Sequence, residues 1–337
     1  MTKWLPPSVR IVSACASLLV LPSVQAQDAQ HAGHEPAPLP AAKTKAEKKT
    51  PGWFRHPRAR TPDEQLKLAD ELLAAGKKKD AARQYDALVR AWHESAQAPA
   101  AQLAYAKLVE DRRDYAGAFD EFQYLVDHFA GRFPFDEALD HQYRIANTVM
   151  TQRHGRLLFG GYRAPERALP YLEQIMKNGP QWRNAAQVQF DIGVINEENK
   201  EYDAAIRAYE VIPVSYPDSP LAEEAAFRRA QCLYTVAMAT PRHEPGYREA
   251  MSALSMFSRD YPRSAQAETA GRNLDQLKEQ LAGLYFERAV FYDRISRNPR
   301  AAVIAYADFI RNFPTSELAA QASERMDALK LETENKK

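Results

Sequence analysis

The chain has 337 residues, and its 45 basic and 44 acidic side chains leave a formal charge of +1 at pH 7. This balance argues against a nucleic-acid-binding protein, because such proteins are usually strongly basic. After about residue 62, glycine and proline are sparse while Ala, Leu, Glu, Arg and Gln dominate, which favours helices over strands. No later segment contains 18 consecutive apolar residues, so no membrane-spanning helix is predicted there.

Residues 1–26 have the pattern of a secretory signal peptide. Two basic residues precede a mostly apolar stretch from Ile11 to Val24, and small residues at Val24 and Ala26 predict cleavage after Ala26. A second interpretation stays open, because residues 12–15 (Val-Ser-Ala-Cys) match the lipobox of bacterial lipoproteins and make Cys15 a candidate lipid-attachment residue. After cleavage at Ala26 the remaining cysteine is Cys232, which we expect to be a small buried apolar residue.

Residues 27–60 differ in composition from the rest of the chain. They are rich in Ala, Pro, Lys and His without apolar periodicity, so a disordered linker is predicted. Lys43 to Arg60 holds seven basic residues and one acidic residue around Trp53 and Phe54. This basic run is either a solvated spacer or a tether that touches an anionic surface.

From Thr61 onward the chain repeats a pattern of one alanine followed by large, mostly apolar residues four, seven and eleven positions later, except that one unit has Gly179 at the last of these positions. These positions share one stripe of an α-helix, so each pattern predicts a helix with a single apolar face. Four of the six patterns end in proline at position twelve, which stops a helix. The six anchor alanines are Ala81, Ala118, Ala168, Ala205, Ala250 and Ala302.

Each anchor helix is preceded by a second helical segment, as in Leu66 to Ala74, Leu103 to Val109 and Val188 to Ile195. Gly193 lies twelve residues before Ala205, where tetratricopeptide repeats typically carry a small residue for close helix crossing. The array resembles that family, whose idealised period is about 34 residues. The fold predicted is an all-α, right-handed α-solenoid of about six tetratricopeptide-like helix pairs, divided into repeats in 61–200 and repeats in 201–330.

The spacing between anchors is 37 residues in two pairs and 50, 45 and 52 residues elsewhere, so three units carry insertions. Thr151 to Pro165 contains a glycine pair among basic residues, but no Lys-Ser/Thr follows as a phosphate-binding loop requires, and a flexible basic loop is expected. Ala239 to Tyr247 contains Pro241 and Pro245 and predicts a loop stiffened by proline.

No nucleophile elbow, zinc-helix or dinucleotide-binding motif is present, so we expect no catalytic residues, no cofactor and no metal site. In a solenoid of this kind the first helices of the units line a groove that binds an extended peptide or a partner helix. By repeat position, the candidate groove contacts are Leu66, Asp70, Leu103, Lys107, Phe190, Val194 and Glu197.

Residues 204–329 resemble the outer-membrane assembly lipoproteins of the BamD type. One block that carries the likeness is Tyr247 to Ala250, which leads to Phe257 and to Tyr-Pro-Arg-Ser at 261–264. The other is Leu277 to Ile295, followed by 301–306 and by Phe-Pro-Thr-Ser at 313–316. Members of that family place an arginine where this chain has Ala305.

The resemblance implies a non-catalytic scaffold in the periplasm, at the inner face of a Gram-negative outer membrane. The implied partners are the POTRA-containing barrel-assembly subunit and unfolded outer-membrane proteins, with no nucleic acid. Contact with the membrane would be peripheral, through a lipid anchor or a partner. The alternative is a periplasmic tetratricopeptide adaptor of the cell wall or envelope division machinery, because the Tyr-Pro-x-Ser pattern is shared with such proteins.

Overall fold

The computed structural model describes residues 56–154 and 162–334. The predicted signal peptide, Cys15 and nearly all of the predicted linker lie outside the described residues, as does the part of the basic insertion from 155 to 161. Thirteen α-helices and two strands of two residues each make up most of the described chain.

The helices form six pairs and one closing helix. The first helices of the pairs are α1 (Pro62–Ala74), α3 (Ala98–Asp111), α5 (Phe135–Thr151), α7 (Ala185–Glu198), α9 (Ala222–Ala239) and α11 (Ala267–Val290). The second helices are α2 (Lys78–Ala91), α4 (Tyr115–His128), α6 (Leu169–Asn178), α8 (Tyr202–Ser215), α10 (Glu244–Asp260) and α12 (Pro299–Asn312), and α13 (Ala319–Glu334) follows them. Successive helices pack against one another along the chain, which confirms the predicted all-α solenoid.

The repeating apolar stripe explains this packing. All six anchor alanines are fully buried, and the apolar residues four and seven positions later are buried beside them. Gly193 shows why a small residue is needed twelve positions before an anchor. A Cβ atom added there would lie 2.4 Å from the ring of Tyr209, so only glycine lets α7 and α8 approach this closely.

Helix ends follow the sequence signals. The side chains of Thr61, Asp114 and Asn298 each accept a hydrogen bond from the backbone N–H three residues later, at the start of α1, α4 and α12. In the Tyr-Pro-x-Ser turns, Ser219 Oγ accepts from the N–H of Leu221 and Ser264 Oγ from that of Gln266. These serines therefore order the turn just before the next helix instead of capping the helix itself.

The longer units differ from the expected loops. Residues 239–247 were expected to form a loop, but the turn spans only 240–243 and the rest extends α9 and α10. Proline is tolerated in the first turn of a helix, and His243 Nδ1 accepts a hydrogen bond from the N–H of Gly246 there. In the last unit the extra length lies in the 24-residue α11, which continues into a π-helical segment, Phe291–Ile295.

Beyond α5, Arg153–His154 (β1) and Tyr162–Arg163 (β2) pair antiparallel and so form the base of a hairpin. A 3-10 helix, Pro165–Ala168, then leads into α6. The basic insertion therefore leaves and re-enters the array at neighbouring positions, and it does not interrupt the stacking of α5 on α6.

The buried apolar side chains are not distributed evenly. One continuous cluster runs from Ala69 in α1 to Ala208 in α8, and three smaller clusters serve the helices that follow. The large cluster is accompanied by buried glutamines. Gln65 bonds to Gln84, Gln102 to Glu121 and Gln142 to Gln123, each across two helices at a sequence separation of 19 residues.

Candidate protein-binding groove

The first helices of the three N-terminal units line an open groove of about 900 Å³. Three of the predicted contacts, Asp70 on α1 and Leu103 and Lys107 on α3, lie together in it. Leu66, one turn before Asp70, is half-buried against the N-terminal core and does not line the groove. We call this surface the N-terminal groove.

Asp70 is held in place by Tyr85 from α2, whose hydroxyl donates a 2.6 Å hydrogen bond to Asp70 Oδ1. Burial and the neighbouring carboxylate both raise the pKa of the Tyr85 hydroxyl, so it remains a donor at neutral pH. The carboxylate of Asp70 keeps free acceptor capacity toward the groove, because a carboxylate offers about four lone-pair sites. Asp70 is therefore a pre-oriented hydrogen-bond acceptor at the groove wall.

Charged side chains tie neighbouring units together along the same groove. Lys107 pairs with Glu137 on α5, and Lys78 Nζ lies 2.6 Å from Asp111 Oδ2. Glu110 accepts two hydrogen bonds from Arg144, and its Oε2 lies 2.5 Å from His141 Nδ1. Although burial alone would raise the pKa of Glu110, the contacts with His141 and Arg144 hold it below its ordinary value.

The other three predicted contacts form a separate site on α7. Glu197 accepts hydrogen bonds from the hydroxyl of Tyr209 and from Arg228, at 2.7 Å and 3.0 Å. The Arg228 guanidinium also lies 5.6 Å from the centre of the Phe190 ring, and Val194 packs against the small core cluster beside them. The structure thus divides the predicted residues between two places along the array.

One recurring contact was missed by the sequence analysis. The tyrosine four positions after an anchor donates to a carboxylate of the preceding first helix or its extension in three units. The pairs are Tyr85 with Asp70, Tyr209 with Glu197, and Tyr306 with Asp293. The signal was present in the sequence as a carboxylate 12 to 15 residues before each such tyrosine.

A second groove of about 1080 Å³ lies at the other end of the array, between α11 with its π-helical extension and α13. Its wall combines aromatic rings with four arginines, Arg242, Arg288, Arg294 and Arg325. Arg325 is fixed by two 2.8 Å hydrogen bonds to Asp293, which lower the pKa of that carboxyl group. We call this surface the C-terminal groove. None of these residues was predicted from the sequence as a groove contact.

A shallower pocket of about 280 Å³ contains Ala305, the position at which the resemblance implies an arginine. Arg288 from α11 reaches into this pocket, with its guanidinium 4.9 Å from the centre of the Tyr285 ring. Ile304 lines it as well and is 64% exposed. An exposed apolar side chain next to an arginine is typical of a protein-binding surface.

Among residues 56–154 and 162–334, no helix has the length and hydropathy needed to cross a membrane. The same ranges contain no group of three or more His, Cys, Asp or Glu side chains arranged to hold a metal ion. Cys232 is buried as expected, and burial raises the pKa of its thiol to about 12.

The repeats and grooves define a tetratricopeptide-type protein-interaction scaffold, and a tetratricopeptide-repeat family model matches residues 66–137. The model of the YfiO outer membrane lipoprotein family matches residues 161–333, and the chain belongs to that family. This match begins one unit before the region in which the sequence resembles BamD-type proteins. No curated protein sequence matches the chain.

Solved structures of tetratricopeptide-repeat proteins are among those similar to the chain. The C-terminal part of a tetratricopeptide-repeat-containing protein from Cytophaga hutchinsonii is 17% identical, with a TM-score of 0.32, over 79% of this chain and 88% of that chain. A tetratricopeptide repeat protein from Parabacteroides merdae is 10% identical, with a TM-score of 0.30, over 79% of this chain and 98% of that chain.

Proposed function

We propose that the protein is a non-catalytic, BamD-like component of outer-membrane β-barrel protein assembly. The observation that carries this proposal is membership of the outer membrane lipoprotein family over residues 161–333, in a chain whose first helices line open grooves. In this role the protein acts in the periplasm, at the inner face of the outer membrane. It holds other envelope proteins and transforms no substrate.

The N-terminal groove suits an unfolded outer-membrane protein as its ligand. An extended chain presents backbone N–H groups and apolar side chains, and the groove offers the oriented carboxylate of Asp70 beside Leu103. Lys107 adds a cation one helical turn after Leu103. Leu66 would contribute indirectly, by packing α1 against the N-terminal core.

The α7 site and the pocket at Ala305 suit a folded partner. Phe190 and Val194 form an apolar patch edged by the ion pair of Glu197 with Arg228, and Arg288 and Ile304 offer a similar combination at the C-terminal end. A POTRA-containing barrel-assembly subunit is the partner proposed for these surfaces. In this proposal Arg288 supplies, from the neighbouring helix, the cation that Ala305 does not.

Site-specific crosslinking in cells tests the proposal. A photoreactive residue at Leu103 is expected to capture unfolded barrel precursors, and one at Ile304 the barrel-assembly subunit. Met256, which is 47% exposed on α10 and lines neither groove, is the matched control position. Recovery of cell-wall or division proteins alone from both test positions would instead support the periplasmic adaptor.

The N-terminal residues enter the proposal as an export signal in 1–26, a linker in 27–60 and repeats in 61–200 and 201–330. Cys15 is the lipid-attachment residue if the lipobox is recognised and processed. A free Gln27 begins the mature chain if the signal peptidase cleaves after Ala26. Mass spectrometry of the mature N-terminus distinguishes these two outcomes directly.

A further inference from the structure

The turns of the solenoid fall on two opposite edges. Successive helices are antiparallel, so the turns within units follow one edge and the turns between units follow the other. Contacts between units support this division. Lys78 at the start of α2 bonds to Asp111 at the end of α3, and the Tyr216 hydroxyl donates to the carbonyl of Pro180, 2.7 Å away in the preceding between-unit turn.

The two edges differ in charge. Five turns within units are described in full, and each joins a first helix or its π-helical extension to the second helix of the same unit. Together these five turns carry two acidic and six basic residues. The six turns between units carry three acidic and three basic residues. We call the first set of cations the basic edge, and it consists of Lys77, Arg112, Arg113, Lys200, Arg242 and Arg297.

Four residues of the basic edge occupy a backbone conformation that favours glycine. Arg113, Lys200, Arg242 and Arg297 have φ angles of 61°, 64°, 71° and 49°, whereas the first unit uses Gly76 with φ 74°. A long cationic side chain is an unfavourable choice at such a position. Four units nevertheless carry one there, which points to a role for the charge itself.

These cations are available to a partner. All six residues are exposed, and only Arg242 forms an ion pair with another described residue, Glu287. On the opposite edge two of the three arginines are used within the protein, while the third, Arg263, is exposed. Arg132 donates to the carbonyl of Ser95, and Arg183 pairs with Asp136 and Asp140.

Exposed apolar side chains stand at the C-terminal end of the basic edge. Ile295 and Phe291 in the π-helical segment are 71% and 47% exposed, close in sequence to Arg294 and Arg297. Cations beside exposed apolar side chains are the combination found where a protein lies in the headgroup region of a membrane.

We propose that the basic edge lies against an anionic lipid surface, with Ile295 and Phe291 inserted among the headgroups. The cations occur in all five described turns within units, and a continuous layer of lipid phosphates offers negative charge at each of these positions. Each cation near such a surface adds attraction that falls off within a Debye length. Arg242, Phe291 and Ile295 also line the C-terminal groove, so the lipid would cover part of that groove. The proposal does not depend on the barrel-assembly role.

Vesicle binding by the full chain tests the proposal. The edge variant replaces Arg113, Lys200, Arg242 and Arg297 with asparagine, which tolerates positive φ and so preserves the turns. The control variant replaces Arg259, Arg263, Arg272 and Arg311, which lie at or near between-unit turns, with glutamine, and it removes the same total charge. With phosphatidylglycerol-containing vesicles, the edge variant is expected to bind about tenfold or more weakly than the control, and high salt to remove that difference. Equal binding by the two variants would overturn the proposal.

A second measurement reports orientation even if the basic linker also binds the vesicles. A fluorophore is placed on Ile295→Cys or on Val214→Cys in a chain lacking Cys15 and Cys232. Both side chains are highly exposed, at 71% and 76%, but Val214 lies near the end of α8, on the opposite edge. Anionic vesicles are expected to shift the emission of the probe at 295 to shorter wavelength and to leave that at 214 unchanged. Equal shifts, or no shift at 295, would contradict the proposed orientation.

Discussion

The helices from α1 to α7 and those from α8 to α13 follow the same repeat but bury their side chains differently. The first group shares one continuous core that only reaches Ala208 in α8, whereas three smaller clusters serve the second. Buried glutamines cross-link the helices of the first group, while the pair in the second group that corresponds to Gln123 with Gln142, Glu210 with Arg229, is partly exposed. One repeat pattern can therefore produce a coupled block or a series of more independent units.

The largest expected effect is a loss of stability, and its spread along the chain tests whether the first core is more strongly coupled than the later clusters. Phe122 is fully buried in the first core, and Phe122→Ala should cost about 3–5 kcal/mol of stability through the cavity it leaves. We expect faster amide hydrogen exchange throughout α1 to α7. Phe309→Ala, at an equally buried position in the last cluster, should accelerate exchange only in α11 to α13. Faster exchange over equally long stretches of helix in both variants would show that the two groups of helices do not differ in coupling.

The next effect concerns the close contact at the junction of the two groups. Gly193→Ala forces a methyl group against Tyr209, which is itself fully buried, and should cost about 1–3 kcal/mol in urea unfolding. Gly271→Ala is the matched control, because a Cβ there meets no atom within 4 Å on α11. That variant should gain about 0.5–1 kcal/mol from helix propensity. A neutral Gly193→Ala would show that the two helices can separate without cost.

A comparable effect tests the buried glutamines. Gln102 is fully buried and bonds both to the carbonyl and to the side chain of Glu121. Gln102→Met leaves those acceptors without this donor and should destabilise the protein by about 1–3 kcal/mol. Arg229→Met, which removes the partly exposed ion pair with Glu210 in the second group, should cost about 1 kcal/mol or less. Thermal unfolding of both variants under the same conditions measures the difference.

The smallest effect is a dependence on pH. The pKa of Glu110 is below its ordinary value of 4.5 in the native state, so the unfolded chain binds more protons than the native one as the pH falls toward and below 4.5. Stability should therefore be fully present above that range and decrease through it. Glu110→Gln should flatten part of this decrease, by about 1 kcal/mol or less. An unchanged pH profile in the variant would argue against these contacts.

Much of the fold could be predicted from the sequence, because the apolar stripe, the anchor alanines and the helix-ending prolines act locally. The prediction of a loop at 239–247 was wrong, because the sequence alone does not distinguish a proline in the first turn of a helix from a proline in a loop. The π-helical segment also carried no recognisable sequence signal, because π-helices differ from α-helices only in hydrogen-bond register.

The candidate site was predicted less completely. Asp70, Leu103 and Lys107 were found by their repeat positions, and the structure places them in one groove. The arginines of the C-terminal groove come from α11, its extension, α13 and a turn, and only the packing of distant segments brings Arg242 and Arg325 together. The sequence also could not show that Leu66 faces the core. A small rotation of a helix decides whether a residue lines the groove or packs against the core behind it.

The π-helical segment also has a consequence for how this protein can change by insertion or deletion. A π turn holds one residue more than an α turn, so the end of this segment is rotated by about 100° relative to the end of an uninterrupted α-helix. Phe291 and Ile295 lie in this segment and point toward solvent. Deleting one residue between 291 and 295 would restore the ordinary helical register at this end and change the direction in which Ile295 and the turn after it leave the helix. A single codon therefore separates a helix with an exposed apolar end from a regular one.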